Sequence, residues 1–146
     1  NRVPFVPQLF AKLLGQTYPS YKGMVDNKKE TMEKYKFSIC YENARDIPGY
    51  ITEKIFDSFF AGCVPIYWGA NNILDYVPKE CFVDFRDFNN YEELYKFIKN
   101  MNDIEYLKYL TNIEQYLNSE QSFEFQGKGS AQKIASVLFR KKKNYE

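Results

Sequence analysis

Three short runs rich in β-branched and aromatic residues, Lys36–Glu42, Val64–Trp68 and Cys81–Phe85, alternate with stretches whose apolar residues recur at helical spacing. That order, strand then helix three times over, predicts an α/β fold: a Rossmann-like parallel sheet flanked by helices. The 146 residues are one domain's length, with no internal repeat, low-complexity tract or linker, so residues 1–146 are expected to form one domain.

The elements follow in order along the chain. Pro4–Leu14 carries Phe5, Leu9, Phe10, Leu13 and Leu14 at helical spacing and is stopped by Gly15. A loop containing Gly and Tyr leads to a polar helix around Lys28–Lys34, then to the first strand, "KFSICYE". Thr52 is placed to cap a helix bearing Ile55, Phe56, Phe59 and Phe60, which ends at Gly62. "VPIYW" reads as a buried strand closed by Gly69; Pro65 lacks an N–H and suits the strand's start or an unpaired position. Asn71–Tyr76 reads as a short helical turn and "CFVDF" as the third strand. Asn90 and Glu93 are spaced as a capping box for a helix with Leu94, Phe97, Ile98 and Met101. Ile104, Leu107, Leu110, Ile113 and Leu117 mark the next helix. Ala131, Ile134, Ala135 and Leu138 mark the last, ahead of a basic "RKKKNYE" tail.

Composition removes several function classes. A net charge of +1 argues against a nucleic-acid binder working through bulk electrostatics. No apolar run approaches the roughly 18 residues of a membrane span, and no leader pattern opens the chain. The start at Asn1 rather than Met suggests a piece of something longer. Cys40, Cys63 and Cys81 lie far apart without a CxxC, which reads as buried, reduced thiols in a reducing compartment. The sequence holds no histidine, which excludes His-ligated zinc, Ser-His-Asp triads and imidazole acid/base chemistry. Carboxylates, Lys, Arg, amides and Tyr remain.

In parallel α/β sheets ligands bind beyond the carboxyl ends of the strands, where helix N-termini point. "YENARDIPGYITEK", Tyr41–Lys54, falls there. Lys54 sits in the first turn of its helix, where a cation is unfavourable by about 0.3–1 kcal/mol. It is either a solvated lysine paired with Glu53 or Asp57, or half of an anion site shared with the helix amides. Glu53 suits the helix dipole and equally suits sugar hydroxyls. Asn43 is a turn former or a ligand contact; Tyr50 is core or a wall for a nucleobase. No GxGxxG or Walker A pattern occurs, and "QGKGS" is too weak to count. Asp84 and Asp87 flank Arg86 and do not form a DxD pair, so no metal site is expected.

Tyr35-Lys36-Phe37, Glu42-Asn43, Tyr50-Ile51-Thr52-Glu53-Lys54 and Val64-Pro65-Ile66-Tyr67-Trp68-Gly69 stand in the order of a known pattern. Together with "NYEELYKFI" they closely resemble the α1,3/1,4-fucosyltransferases, family 10 of the glycosyltransferases. The resemblance runs from Arg2 to about Phe88. It implies one half of a two-domain GT-B enzyme, the C-terminal domain that binds GDP-fucose, with the acceptor domain outside this chain. By that correspondence Arg2, in "NRVPFVPQL", and Lys54 bind the diphosphate, and Glu53 binds sugar or ribose hydroxyls. Asn43 and Tyr50 shape the pocket, while Arg45 and Asp46 inherit no role.

The resemblance further implies inverting transfer of L-fucose to a glycan hydroxyl, α1,3 by expectation, without an obligatory metal. The general base would be a carboxylate in the acceptor domain, leaving no catalytic residue in this chain. Two other readings stand beside it: a glycosyltransferase using another nucleotide sugar in surface-polysaccharide synthesis, and a non-catalytic nucleotide-binding interaction domain. The thiols and missing leader pattern favour a bacterial cytoplasmic protein, or the Golgi lumen if eukaryotic. Arg140–Lys143 could meet an anionic membrane surface.

Overall fold

The computed structural model describes residues 23–125. The helices expected at Pro4–Leu14 and around Ala131–Leu138, together with Arg2, "QGKGS" and the Arg140–Lys143 tail, lie outside the described residues. In chain order the elements are α1 (Lys28–Met32), β1 (Phe37–Tyr41), α2 (Glu53–Phe60), β2 (Val64–Trp68), β3 (Val83–Asp84), α3 (Tyr91–Asn100) and α4 (Asp103–Leu117). Short 3₁₀ turns at Ile73–Asp75, Lys79–Cys81, Phe85–Asp87 and Glu120–Phe125 complete the set.

The sheet is parallel, in the order β1-β2-β3, with Phe37 opposite Val64, Tyr41 opposite Trp68, and Ile66 opposite Val83. The α/β expectation holds: three parallel strands flanked by helices. β2 is central and buried from Val64 to Tyr67, as the middle strand of a parallel sheet must be. Val64 N–H donates to Lys36 C=O on the β1 side. Alternation therefore turns Pro65 toward β3, below the level where that pairing begins at Ile66. Its missing N–H leaves no gap in the ladder.

Ser38 and Cys40 face α2: the Ser38 hydroxyl donates to Ser58 Oγ at 2.7 Å, and Cys40 Sγ donates to the Lys54 carbonyl. Phe37 and Tyr41 take the other face, where Phe37 meets Tyr106 of α4 edge-on and Tyr41 packs on Trp68 and Phe85. The core joins Ile55 and Phe59 of α2, β2, Ile73, Val77, Phe82 and Val83, and Ile113 and Tyr116 of α4. Each fully buried aliphatic or aromatic side chain contributes about 1.5–3 kcal/mol.

Several expectations change in detail. The third strand shrinks from five residues to Val83–Asp84, because Cys81 ends one 3₁₀ turn and Phe85 begins another. The Asp84 carboxylate accepts from Arg86 N–H at 3.0 Å and turns the chain out of the sheet. Asn90 does cap α3 by accepting from Glu93 N–H, but the Glu93 carboxylate accepts from Asn89 instead of closing the box. The reciprocal capping box lies at Asn102 and Glu105, at the start of α4. Ile104 and Leu107, placed on the apolar stripe of α4 by spacing, are exposed, whereas Ile113 is buried.

Candidate functional site

Glu42 is the first residue past β1, and its N–H extends the ladder by donating to Trp68 C=O at 2.8 Å. Two-residue alternation puts its side chain on the face of Ser38 and Cys40, beneath the start of α2. The carboxylate is wholly buried, with a side-chain exposure of 0%. It accepts from Thr52 N–H at 2.8 Å, from Thr52 Oγ1 at 2.7 Å and from Lys54 Nζ at 3.0 Å. Lys54 Nζ also donates to Thr52 Oγ1 at 2.9 Å, so the hydroxyl bridges carboxylate and ammonium. The hydrogen bond that Lys54 donates to Glu42 raises the Lys54 pKa above the ordinary lysine value against the opposing effect of burial; charge from Glu42, Glu53 and Tyr50 adds to the rise.

Lys54 thus pairs with Glu42, twelve residues back, and not with Glu53 or Asp57. Asp57 is taken by Lys28 at 2.6 Å. Thr52 occupies the N-cap position of α2, but its hydroxyl is drawn to Glu42 and makes no capping bond. Among the described residues the first-turn amides of α2 have no side-chain cap, and they stand beside an ammonium whose side chain is 26% exposed.

Gly69, just beyond β2, makes this arrangement possible. A Cβ there would stand 2.5 Å from Glu42 Cγ and would collide with the Tyr67 hydroxyl. The loop from Asn43 to Gly49 is tied to the same end of β2: Asp46 N–H donates to Gly69 C=O at 3.1 Å, and Gly49 N–H donates to Asn72 Oδ1 at 2.8 Å. Asp46 adopts φ 60°, a left-handed conformation that a short polar side chain tolerates. The Arg45 guanidinium lies 4.3 Å over the Trp68 ring.

A second buried carboxylate closes the far side. Asp84, at the end of β3, takes the Arg86 guanidinium through Nε at 2.9 Å and Nη2 at 2.8 Å, while Nη1 donates to Ala70 C=O. Burial would raise the Asp84 pKa, but hydrogen bonds and charge from Arg86, with Lys79 nearby, outweigh it and hold the carboxyl below its usual value. The carboxyl ends of the three strands are therefore bracketed by two anchored cations, Lys54 and Arg86.

Of the residues expected to bind ligand, Lys54 is in the cluster and Tyr50 is close enough to influence its charge. Glu53 is exposed as the first residue of α2, and Asn43 is exposed next to Glu42. Arg2 lies outside the described residues. Glu42 is the member that reading for ligands overlooked, although a carboxylate in step with Ser38 and Cys40 must find buried donors. Among the described residues no group of three or more His, Cys, Asp and Glu side chains is placed to hold a metal ion. A shallow groove lined by Phe97, Met101, Tyr109 and Lys108 is formed by α3 and α4 and shares no residue with this cluster.

A buried pair that presents an ammonium beside helix amides can grip an anion, and the exposed Asn43 and Glu53 stand next in sequence to Glu42 and Lys54. An α-(1,3)-fucosyltransferase of Helicobacter pylori is 42% identical over 96 residues, 64% of this chain and 18% of the relative. A 4-galactosyl-N-acetylglucosaminide 3-α-L-fucosyltransferase of Mus musculus is 34% identical over 115 residues, 74% of this chain and 32% of the relative. Two crystal structures of α1,3-fucosyltransferases are similar in fold. One, with GDP, has 39% identity and a TM-score of 0.54 over 59% of this chain and 26% of its own. The other, with GDP-fucose, has 27% identity and a TM-score of 0.58 over 72% of this chain and 38% of its own. The chain spans about a fifth to a third of the length of these curated relatives. Residues 5–142 match the C-terminal region of glycosyltransferase family 10 (fucosyltransferase), and the chain belongs to that family.

Proposed function

We propose that this chain is the donor-binding part of a GT-B fucosyltransferase and takes GDP-fucose at the carboxyl ends of β1 and β2. The observation that carries the reading is the Glu42–Thr52–Lys54 cluster, which holds an ammonium at the uncapped N-terminus of α2. The diphosphate sits against Lys54 and the first-turn amides, with Arg2 as a second cation. Glu53 accepts from ribose or fucose hydroxyls, and Asn43 and Tyr50 line the nucleotide. The solved relatives that carry GDP and GDP-fucose support this choice of ligand.

Transfer breaks the bond from fucose C1 to the diphosphate oxygen and forms a bond from C1 to the acceptor oxygen. The electron pair leaves with GDP, and negative charge grows where Lys54 and the helix amides point. Those fixed charges supply the stabilisation without an obligatory metal. A carboxylate outside this chain takes the proton of the acceptor hydroxyl, and inversion at C1 with an α1,3 linkage completes the reading.

Calorimetric titration of GDP into the protein in EDTA tests it. Binding is expected in the parent. Lys54→Ala, which removes a charge-assisted contact of about 1.5–3 kcal/mol, should weaken it tenfold or more while helix amides retain some affinity. A folded parent that takes up no GDP would overturn the donor-site reading. Binding only after magnesium or manganese is restored would overturn the metal-free part alone.

A further inference from the structure

Thr52 supplies both a backbone and a hydroxyl donor to the buried Glu42 carboxylate. The third partner is different in kind. Lys54 brings a flexible, partly exposed side chain, 26% accessible, to a carboxylate that has no exposure of its own. An ammonium has three donors. Glu42 Oε2 takes one and Thr52 Oγ1 a second, which leaves the third without a partner among the described residues. Two bonds at an angle fix the position of Nζ and the direction of that remaining N–H, as one bond could not.

We propose that Glu42 is the positioning residue of the donor site: with Thr52 as the bridge, its buried carboxylate fixes the Lys54 ammonium so that one donor projects outward to the diphosphate of a nucleotide sugar. The inference rests on the donor-site reading above and adds the device that pre-arranges it. A free lysine would have to give up its rotamer freedom when the ligand arrives. Here that freedom is already gone, because Glu42 is itself immobile: its N–H is in the sheet, its carboxylate takes three donors, and its stem lies against Gly69. The pair is neutral overall, so Glu42 adds direction, not charge. This also accounts for Thr52, whose hydroxyl forgoes the capping bond its position invites.

A double-mutant cycle tests the proposal on the full-length protein. GDP affinity is measured calorimetrically in EDTA for the parent, Glu42→Gln, Lys54→Ala and the double variant, with thermal unfolding recorded for each. Glu42→Gln is expected to weaken GDP roughly tenfold in the parent, and by less than about twofold once Lys54 is absent, because coupled residues are not additive. Equal weakening in both backgrounds, or none in the parent, would overturn the positioning role and leave Glu42 a structural residue. Glu42→Asp keeps the charge but shortens the arm by one methylene. Cycled against Lys54→Ala it should couple in the same way, and it decides the matter if Glu42→Gln does not fold. A folded parent that binds no GDP fails the donor-site reading itself. A parent that binds, with Lys54→Ala weaker but Glu42→Gln additive, fails only the positioning.

Discussion

A lysine in the first turn of a helix is electrostatically misplaced, and Lys54 is stable there because a buried carboxylate faces it. The compact ammonium fits between Glu42 Oε2 and Thr52 Oγ1; a planar guanidinium would spread across both acceptors and push into the core. Lys54→Arg is therefore expected to keep the charge yet bind GDP more weakly than the parent, and equal affinity would show that charge alone suffices. The three cysteines give an independent check on the core. All are buried, and burial raises each thiol, that of Cys81 to about 12. The thiolate is the reactive form. Ellman's reagent should find no fast-reacting thiol in the native protein and three after unfolding; a rapid native reaction would contradict the burial.

Among the elements, β2 and its exit matter most, since Gly69 has Glu42 on one side and Tyr67 on the other. Gly69→Ala would force both of them, or the backbone at residue 69, to move. Overpacking of this kind costs about 1–3 kcal/mol, and because one of the two crowded side chains is Glu42, GDP affinity should fall along with stability. A variant that loses stability but binds GDP like the parent would show that the strain at Gly69 does not reach the Glu42 carboxylate. The capping box of α4 acts far from this site. Asn102 accepts from Glu105 N–H at 2.9 Å, and the Glu105 carboxylate accepts from Asn102 N–H at 3.0 Å. Asn102→Ala should cost about 1 kcal/mol and leave GDP binding unchanged, as thermal unfolding and calorimetry together would establish.

For the whole molecule, the Asp84–Arg86 pair ties the exit of β2, through Ala70 C=O, to the end of β3. It makes stability depend on pH. Asp84 is held below the ordinary carboxylate value in the folded state, so the unfolded chain binds its proton more readily. Its contribution is complete above about pH 4, the ordinary value, and is lost as pH falls through the folded value. Denaturant unfolding of the parent should weaken along that acid limb. Asp84→Asn should be less stable at pH 7, by about 3 kcal/mol for a broken buried pair, and should lose less on acidification. An unchanged acid limb in the variant would assign it to other carboxylates.

What the sequence determined by itself is local. β2 runs from Val64 to Trp68 as read, because a short apolar run between turn residues has few other conformations open to it. The strand–helix alternation carried the fold class, and ordered motifs from Tyr35 to Gly69 carried the family. Tertiary structure decided the partners. Glu42 and Lys54 are twelve residues apart and Arg86 and Ala70 sixteen, so they meet only once the parallel strands are in register. Thr52 has the right type and place for a cap, yet a buried carboxylate competes for its hydroxyl and wins, since an unsatisfied buried charge costs more than an uncapped helix end. Cys81–Phe85 has strand composition throughout, but Asp84 takes its own chain's Arg86 N–H and ends the strand after two residues. Propensity and periodicity describe a residue's neighbours along the chain; the site is made of neighbours across it.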